Sequence, residues 1–366
     1  MIAGSSKSQA PHMASPLSSA TKPRICFVGL MTGRRAGYVT SQGLIVSELL
    51  KQAGYPVTSV SSISNRVFRF LDIVSTLLLR LKDVDVVVLE IYGGLSFVME
   101  DAASWLAKLF RRRLIMVLHG GALPEFTARY PRWSRRVLGR ADVFLTPSPY
   151  LSRTATKFGW KVRVVPNVVD LPRYPYKERR AVQPRLFWMR SFHELYNPWM
   201  ALRVLQRVKE IYPEATLIMA GQEKGLGPEL RQWAAQHGLE KAVSFPGFLD
   251  MQGKIHHAAA ADIFLNTNHI DNTPVAVIEA AAMGLPVIAT RVGGVADLLT
   301  DGQDGLLVPD NDDKAMAEAV VRLVQSPALA HQLSVQGHAL ARRCSWEEVY
   351  PLWTQVLAYE KPKENC

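Results

Sequence analysis

Short apolar runs of strand length alternate with amphipathic helical patterns along nearly the whole chain, and they do so in two series. ICFVGL (25–30), PVTSV (56–60), VDVVVLEIY (84–92), LIMVLHGG (114–121), DVFLTP (142–147) and VRVVPN (162–167) make the first. RLFWM (185–189), ATLIMAG (215–221), VSFPGF (243–248), DIFLNT (262–267), PVIAT (286–290) and GLLVP (305–309) make the second. Helical patterns such as SELLKQAG (47–54) and MALRVLQRVKEIY (200–212) lie between them. A run that is apolar on both faces and followed by a helix belongs to a parallel sheet covered on both sides. Between the series, LPRYPYKERRAVQP (171–184) is rich in proline and charge and reads as a linker. The expected fold is therefore α/β, with two Rossmann-like doubly wound domains facing across a cleft. The expected divisions are a disordered tail over 1–22, domains over 23–170 and 185–343, and a helix over 344–366 that packs back towards the first domain. Ligands of such sheets bind beyond the carboxyl ends of the strands, so the cleft is the expected site.

The 366 residues suffice for two cores, since 48% of them are hydrophobic. A net charge of +11 points to an anionic partner: nucleic acid, an anionic membrane or a phosphorylated substrate. The three cysteines, Cys26, Cys344 and Cys366, show no CxxC spacing, which argues against a disulfide framework or a zinc site and for a reducing compartment. No apolar run approaches the roughly 20 residues of a membrane span.

One stretch carries most of the chemistry: DNTPVAVIEAAAMGLPVIATRVGG (271–294). Thr273 and Pro274 read as a helix start and Met283-Gly284 as its stop. The helix between is apolar on nearly every side, which marks it as buried, yet Glu279 sits in its middle. A buried carboxylate needs partners. No Arg or Lys follows before Arg291, so a ligand diol is one candidate and a salt bridge to a distant arginine the other. The amides of the 273–275 helix start can receive an anion, as can Gly293-Gly294 between a strand and the next helix, and the glycines at 33–43. Three such features favour a diphosphate in the cleft. Asp271 precedes the helix at the cleft edge. His119 and Arg190 each follow a strand, where a side chain meets the cleft, and a guanidinium suits phosphate. No acidic cluster is read as a metal site.

These residues resemble a known family. The run from Asp271 to Asp312 is similar to the donor-binding region of the retaining glycosyltransferases of family 4 (glycosyl transferases group 1), whose fold is GT-B and whose signature is an acidic residue, seven others, then Glu. VVPNVVD (164–170), VSFPGF (243–248), CSWEEVYPLW (344–353) and residues 28–57 extend the resemblance to roughly 23–360. It implies that Glu279 binds the ribose hydroxyls of a nucleoside-diphosphate sugar, that Asp271 lies near the donor sugar, and that the amides of Thr273 and Val275 face the diphosphate. It also implies that Arg190 and Gly37 serve the phosphates and His119 the sugar. Two departures stand out: Asp271 replaces the family's usual Glu, and the lysine expected shortly after Arg190 is absent, with Asn197 near its place and Lys224 or Arg291 as substitutes.

The implied activity is retaining, metal-independent transfer to a glycan or lipid-linked acceptor, in bacterial surface polysaccharide or glycolipid synthesis, with no cofactor. The implied location is cytoplasmic, or peripheral on the inner face of the membrane. RVFRFLDIVSTLLLRLK (66–82) carries apolar residues at helical spacing among arginines and reads either as a core helix or as a helix lying on an anionic membrane surface. Rival readings are a catalytically degenerate nucleotide-sugar binder, a phosphorylase or epimerase on the same fold, and a basic nucleic-acid binder, for which no motif appears. A nicotinamide oxidoreductase would need GxGxxG, which GLMTGRRAG (29–37) does not supply.

Overall fold

The computed structural model describes residues 22–31, 33, 40–121 and 123–358. The first sheet contains β1 (Ile25–Val28), β2 (Val57–Val60), β3 (Val86–Ile91), β4 (Arg113–Leu118), β5 (Val143–Thr146) and β6 (Val162–Val164), in the order β2-β1-β3-β4-β5-β6. The second contains β7 (Arg185–Met189), β8 (Thr216–Ala220), β9 (Val243–Gly247), β10 (Ile263–Asn266), β11 (Val287–Thr290) and β12 (Leu306–Val308), in the order β12-β11-β10-β7-β8-β9. Every pairing is parallel. All six residues of β3 are buried, as expected of a strand that is covered on both faces.

The strand orders matter for the site. In the first sheet the chain turns one way from β1 to β2 and the other way from β3 onward. In the second, β8 and β9 lie to one side of β7, and β10 to β12 to the other. Each sheet thus has one switch point, β1/β3 and β7/β10, where the following loops part and leave a crevice.

The helices that flank these crevices start with local signals. α1 (Gln42–Gln52) is capped by the Ser41 hydroxyl, which accepts from the Leu44 amide at 3.3 Å. α9 (Met251–Ala260) is capped by Asp250, which accepts from the Gly253 amide at 2.8 Å. α10 (Val275–Ala282) is apolar all round because it lies between β10 and β11 on one side and α13 (Pro327–Arg342) on the other. Burying Ile278 alone contributes about 2–3 kcal/mol.

The 171–184 segment lies along the second domain. Buried Arg179 donates to the carbonyls of Lys177 (2.8 Å), Ala258 (2.7 Å), Ala261 (3.1 Å) and Met283. A guanidinium thereby satisfies carbonyls at the C-terminal ends of both α9 and α10. After the second domain the chain returns: α14 (Trp346–Leu357) packs Val349, Trp353 and Val356 against Ile25, Phe27 and Val88 of the first sheet. The expected tail lies, up to residue 21, outside the described residues, as do 359–366.

Candidate active site in the interdomain cleft

Arg190 follows β7 directly, and Asp271 lies in the loop after β10, so both stand at the second sheet's switch point. They meet: an Arg190 Nη2 hydrogen bonds to Asp271 Oδ2. Asn268 Nδ2 donates to the same oxygen at 2.7 Å, and the Asn272 amide donates to Oδ1 at 2.8 Å. The guanidinium also lies over the Tyr196 ring, 4.2 Å from its centroid. Arg190 is therefore an oriented group with Nε unpartnered among the described residues, and its charge is already partly balanced. Any incoming diphosphate competes with Asp271 for it.

The loop that carries Asp271 touches the first domain. Asn272 Nδ2 donates to the His119 carbonyl at 3.2 Å, the Ser148 hydroxyl hydrogen bonds to Asn272 Oδ1, and Asn167 Nδ2 donates to the Thr273 carbonyl at 3.1 Å. Arg153 and Asp297 add an ion pair at 2.9 Å between the two halves. His119 and Arg190, each expected at a strand end, and Asp271, expected before the helix, thus share one cleft. His119 is partly buried and stacked on Tyr92, with ring centroids 5.4 Å apart, and its burial pushes its pKa down to about 4.

Glu279 has partners within the chain. Lys254 of α9 donates to both of its oxygens, at 2.7 and 2.8 Å, and Tyr174 Oη donates to Oε1 at 2.8 Å. Burial, and then the Glu279 charge, raise the Tyr174 pKa, so the phenol stays a donor. The charge partner within the chain is thus not an arginine but a lysine 25 residues upstream. Lys254 is the one Lys or Arg between Lys241 and Arg291, a signal visible to a search upstream of the helix. Lys254 also brings a cation to this face of the domain, whereas the two substitutes named from sequence do not serve it: Arg291 pairs with Asp301 at 2.6 Å, and Lys224 is exposed. Asn197 is occupied structurally. Its backbone is left-handed (φ 45°) and its side chain caps α7 (Pro198–Ile211) through the Met200 amide at 3.3 Å.

Several helix-start expectations need correction. α10 begins at Val275, with Pro274 rather than Thr273 at its cap, and Thr273 Oγ1 has no partner among the described residues. The amides of Val275 and Ala276, at the start of α10, have no acceptor within the helix, whereas the Val277 amide donates to the Pro274 carbonyl at 3.0 Å. Gly293 and Gly294 serve the Asp271 loop. The Gly294 amide donates to the Asp271 carbonyl at 2.9 Å, and a Cβ on Gly294 would stand 1.9 Å from the Asn272 carbonyl oxygen. These glycines let two backbones approach; the helix that follows them has only four residues. Gly37 lies outside the described residues.

In the first domain, the start of α1 is filled from within. Glu90, at the end of β3 and 2% exposed, places its carboxyl against Gly43 and Gly29. This buried carboxylate was as visible in VVVLEI as Glu279 was in its helix.

Residues 47–173 match the Glycosyltransferase Family 4 model, and residues 183–326 match the Glycosyl transferases group 1 model. Glycogen synthase of Mycobacterium tuberculosis is 25% identical over 258 residues, 67% of this chain and 60% of that protein. Phosphatidyl-myo-inositol mannosyltransferase of Mycobacterium leprae is 28% identical over 224 residues, 59% of this chain and 58% of that protein. The chain thus spans about three fifths of the length of these curated relatives. The crystal structure of Anabaena Alr3699/HepE with UDP and glucose superposes with a TM-score of 0.72 at 17% identity, covering 92% of this chain and 99% of that one. Sucrose-phosphate synthase of Thermosynechococcus elongatus gives 0.72 at 17%, covering 92% and 98%. The fold is therefore GT-B. With each half matched by its own family model, the chain belongs to the group 1, family 4 glycosyltransferases.

Proposed function

We propose that this chain transfers a sugar from a nucleoside-diphosphate sugar to a glycan or lipid-linked acceptor, with retention of configuration and without a metal. The observation that carries the reading is the convergence of Arg190, Asp271, the start of α10 and His119 in one cleft. Departure of a nucleoside diphosphate builds negative charge on phosphate. A fixed guanidinium and helix-start amides are groups that stabilise such charge. The names of the relatives, and the UDP and UDP-glucose complexes of HepE, support the donor class. Retention rests on the resemblance alone. Metal independence rests on that resemblance and on the presence of Arg190 where the leaving group's charge would develop.

A thermal-shift screen of UDP, GDP, ADP and CDP sugars tests the donor class, since a selective ligand raises Tm. Glu279→Ala should weaken nucleoside diphosphate binding by about 1.5–3 kcal/mol and Glu279→Gln by less, as read by calorimetry. Absence of stabilisation by every nucleotide sugar overturns the reading. Activity lost to a chelator and restored by magnesium overturns its metal-free part.

A second observation favours a membrane-associated acceptor. α2 (Arg66–Arg80) buries only Ile73 and Leu77 fully. Val67, Phe68, Leu71 and Leu79 are exposed, and α3 (Phe97–Leu109), packed beside it, exposes Trp105 and Leu109. An apolar face beside Arg66, Arg80, Lys82 and Arg111 suits an anionic bilayer. Among the described residues no helix is long and apolar enough to cross a membrane. We propose peripheral docking through this face. It predicts cosedimentation with anionic but not neutral vesicles, weakening as salt rises; equal or absent binding to both leaves a soluble acceptor.

A further inference from the structure

At the first sheet's switch point, Glu90 and His119 face each other across 3.5 Å, Oε1 to Nε2. Two glycines on different elements leave the space for this carboxyl. A Cβ on Gly29, just after β1, would stand 2.5 Å from Glu90 Oε2, and one on Gly43, in the first turn of α1, 2.2 Å from Oε1. Tyr92 Oη donates to Oε2 at 3.4 Å. Among the described residues Oε1 has no well-aligned hydrogen bond, although it is buried and the Gly43 amide lies beside the carboxyl. A buried acceptor without a donor is costly, whereas a buried acid whose proton points at an imidazole nitrogen is not.

We propose that Glu90 is a positioning residue for His119: as a neutral carboxylic acid it donates from Oε1 to Nε2, which holds the imidazole neutral with its proton on Nδ1. The ring then offers a ligand in the cleft one N–H donor and no positive charge. This rests on the reading of the cleft as the transfer site only for its consequence in catalysis; the proton arrangement itself stands apart from it. The remaining groups around the pair agree. Burial pushes Glu90 up to about 8, against the opposing pull of the Gly43 amide and the Tyr92 hydroxyl, and the Glu100 charge raises it further. Burial holds His119 down at about 4. Glu100 is itself raised to about 7 by burial, although the Tyr92 amide donates to it at 3.0 Å and the Ser96 hydroxyl at 2.9 Å. Among the described residues that line the space around the pair, including those from α1 and α14, none is a cation. That space amounts to about 20 Å³, room for one water and not for a sugar, so Glu90 acts through His119 rather than on substrate.

Nitrogen-15 spectra of histidine-labelled protein, with His119→Ala to assign the resonance, read the tautomer directly. Wild type at pH 7 should show a protonated Nδ1 and an unprotonated Nε2. Above pH 8 the ionised carboxylate becomes an acceptor, and the proton should move to Nε2. Glu90→Gln, whose amide can donate in the same place, should keep the Nδ1 proton throughout, while Glu90→Leu should release the preference at pH 7. Glu90→Gln also covers the case in which the leucine variant fails to fold. In turnover, wild-type kcat should fall about tenfold per pH unit above 8, while Glu90→Gln stays flat. A protonated Nε2 in wild type at pH 7, or the same pH-driven switch in Glu90→Gln, overturns the proposal. Neither result depends on the protein having been given its true donor.

Discussion

Glu279 and Glu90 are both buried carboxyls on elements that are otherwise apolar, one in each domain, and their surroundings are opposite. Glu279 receives an ammonium and a phenol, so its charge is compensated where it lies. Glu90 has a phenol at 3.4 Å, an imidazole at 3.5 Å and, among the described residues, no cation. The first is a held anion and the second a held acid. The same residue type therefore does different work in the two halves: one side of the cleft keeps fixed charge, and the other keeps exchangeable protons. Neither difference follows from burial alone, which is nearly complete for both. What separates them is the neighbouring helix. α9 brings Lys254 to Glu279, while α1 brings only the Gly43 backbone to Glu90.

The largest way to break this contrast is to remove the cation. Lys254→Met leaves Glu279 buried beside a phenol only, and stability should fall by about 3 kcal/mol in denaturant unfolding. Combining it with Glu279→Gln should return most of that loss, because no uncompensated charge remains. An additive double variant would mean that the two side chains do not sense each other.

A smaller effect sharpens the contrast through pH. Glu90 has a folded pKa above its unfolded one, so its contribution is full at low pH and is lost as pH rises through about 8; Glu100, at about 7, acts in the same sense. His119 has a folded pKa below its unfolded one, so its contribution is present above 6.5 and lost as pH falls towards 4. The two tendencies oppose each other between 4.5 and 6.5, and only the carboxyl loss remains above that. Wild type should lose about 1.5 kcal/mol between pH 6.5 and 8 from Glu90. Glu90→Gln should show a visibly smaller loss, while Glu279→Gln should leave the slope in place. An unchanged slope in Glu90→Gln would remove Glu90 as its source.

The alternation of apolar runs and helical patterns was sufficient to predict two parallel sheets, because a strand covered on both faces must be apolar on both and a covering helix must show its own period. It also exposed Glu279 as an anomaly and placed His119 and Arg190 after strands. The partners of these residues are a different kind of information. Lys254 lies 25 positions from Glu279, Tyr174 lies 105 away, and Asn272 reaches His119 over 153. Periodicity is local, and it is blind to which strand lies beside which. The β1/β3 and β7/β10 neighbourhoods, and the return of α14 to the first sheet, decide those meetings. The sequence by itself thus determined that a buried carboxylate must be answered, since burial of charge has a fixed cost. Only the tertiary structure decided that a lysine answers Glu279 and a histidine faces Glu90, because strand order sets which distant side chains share a low-dielectric space.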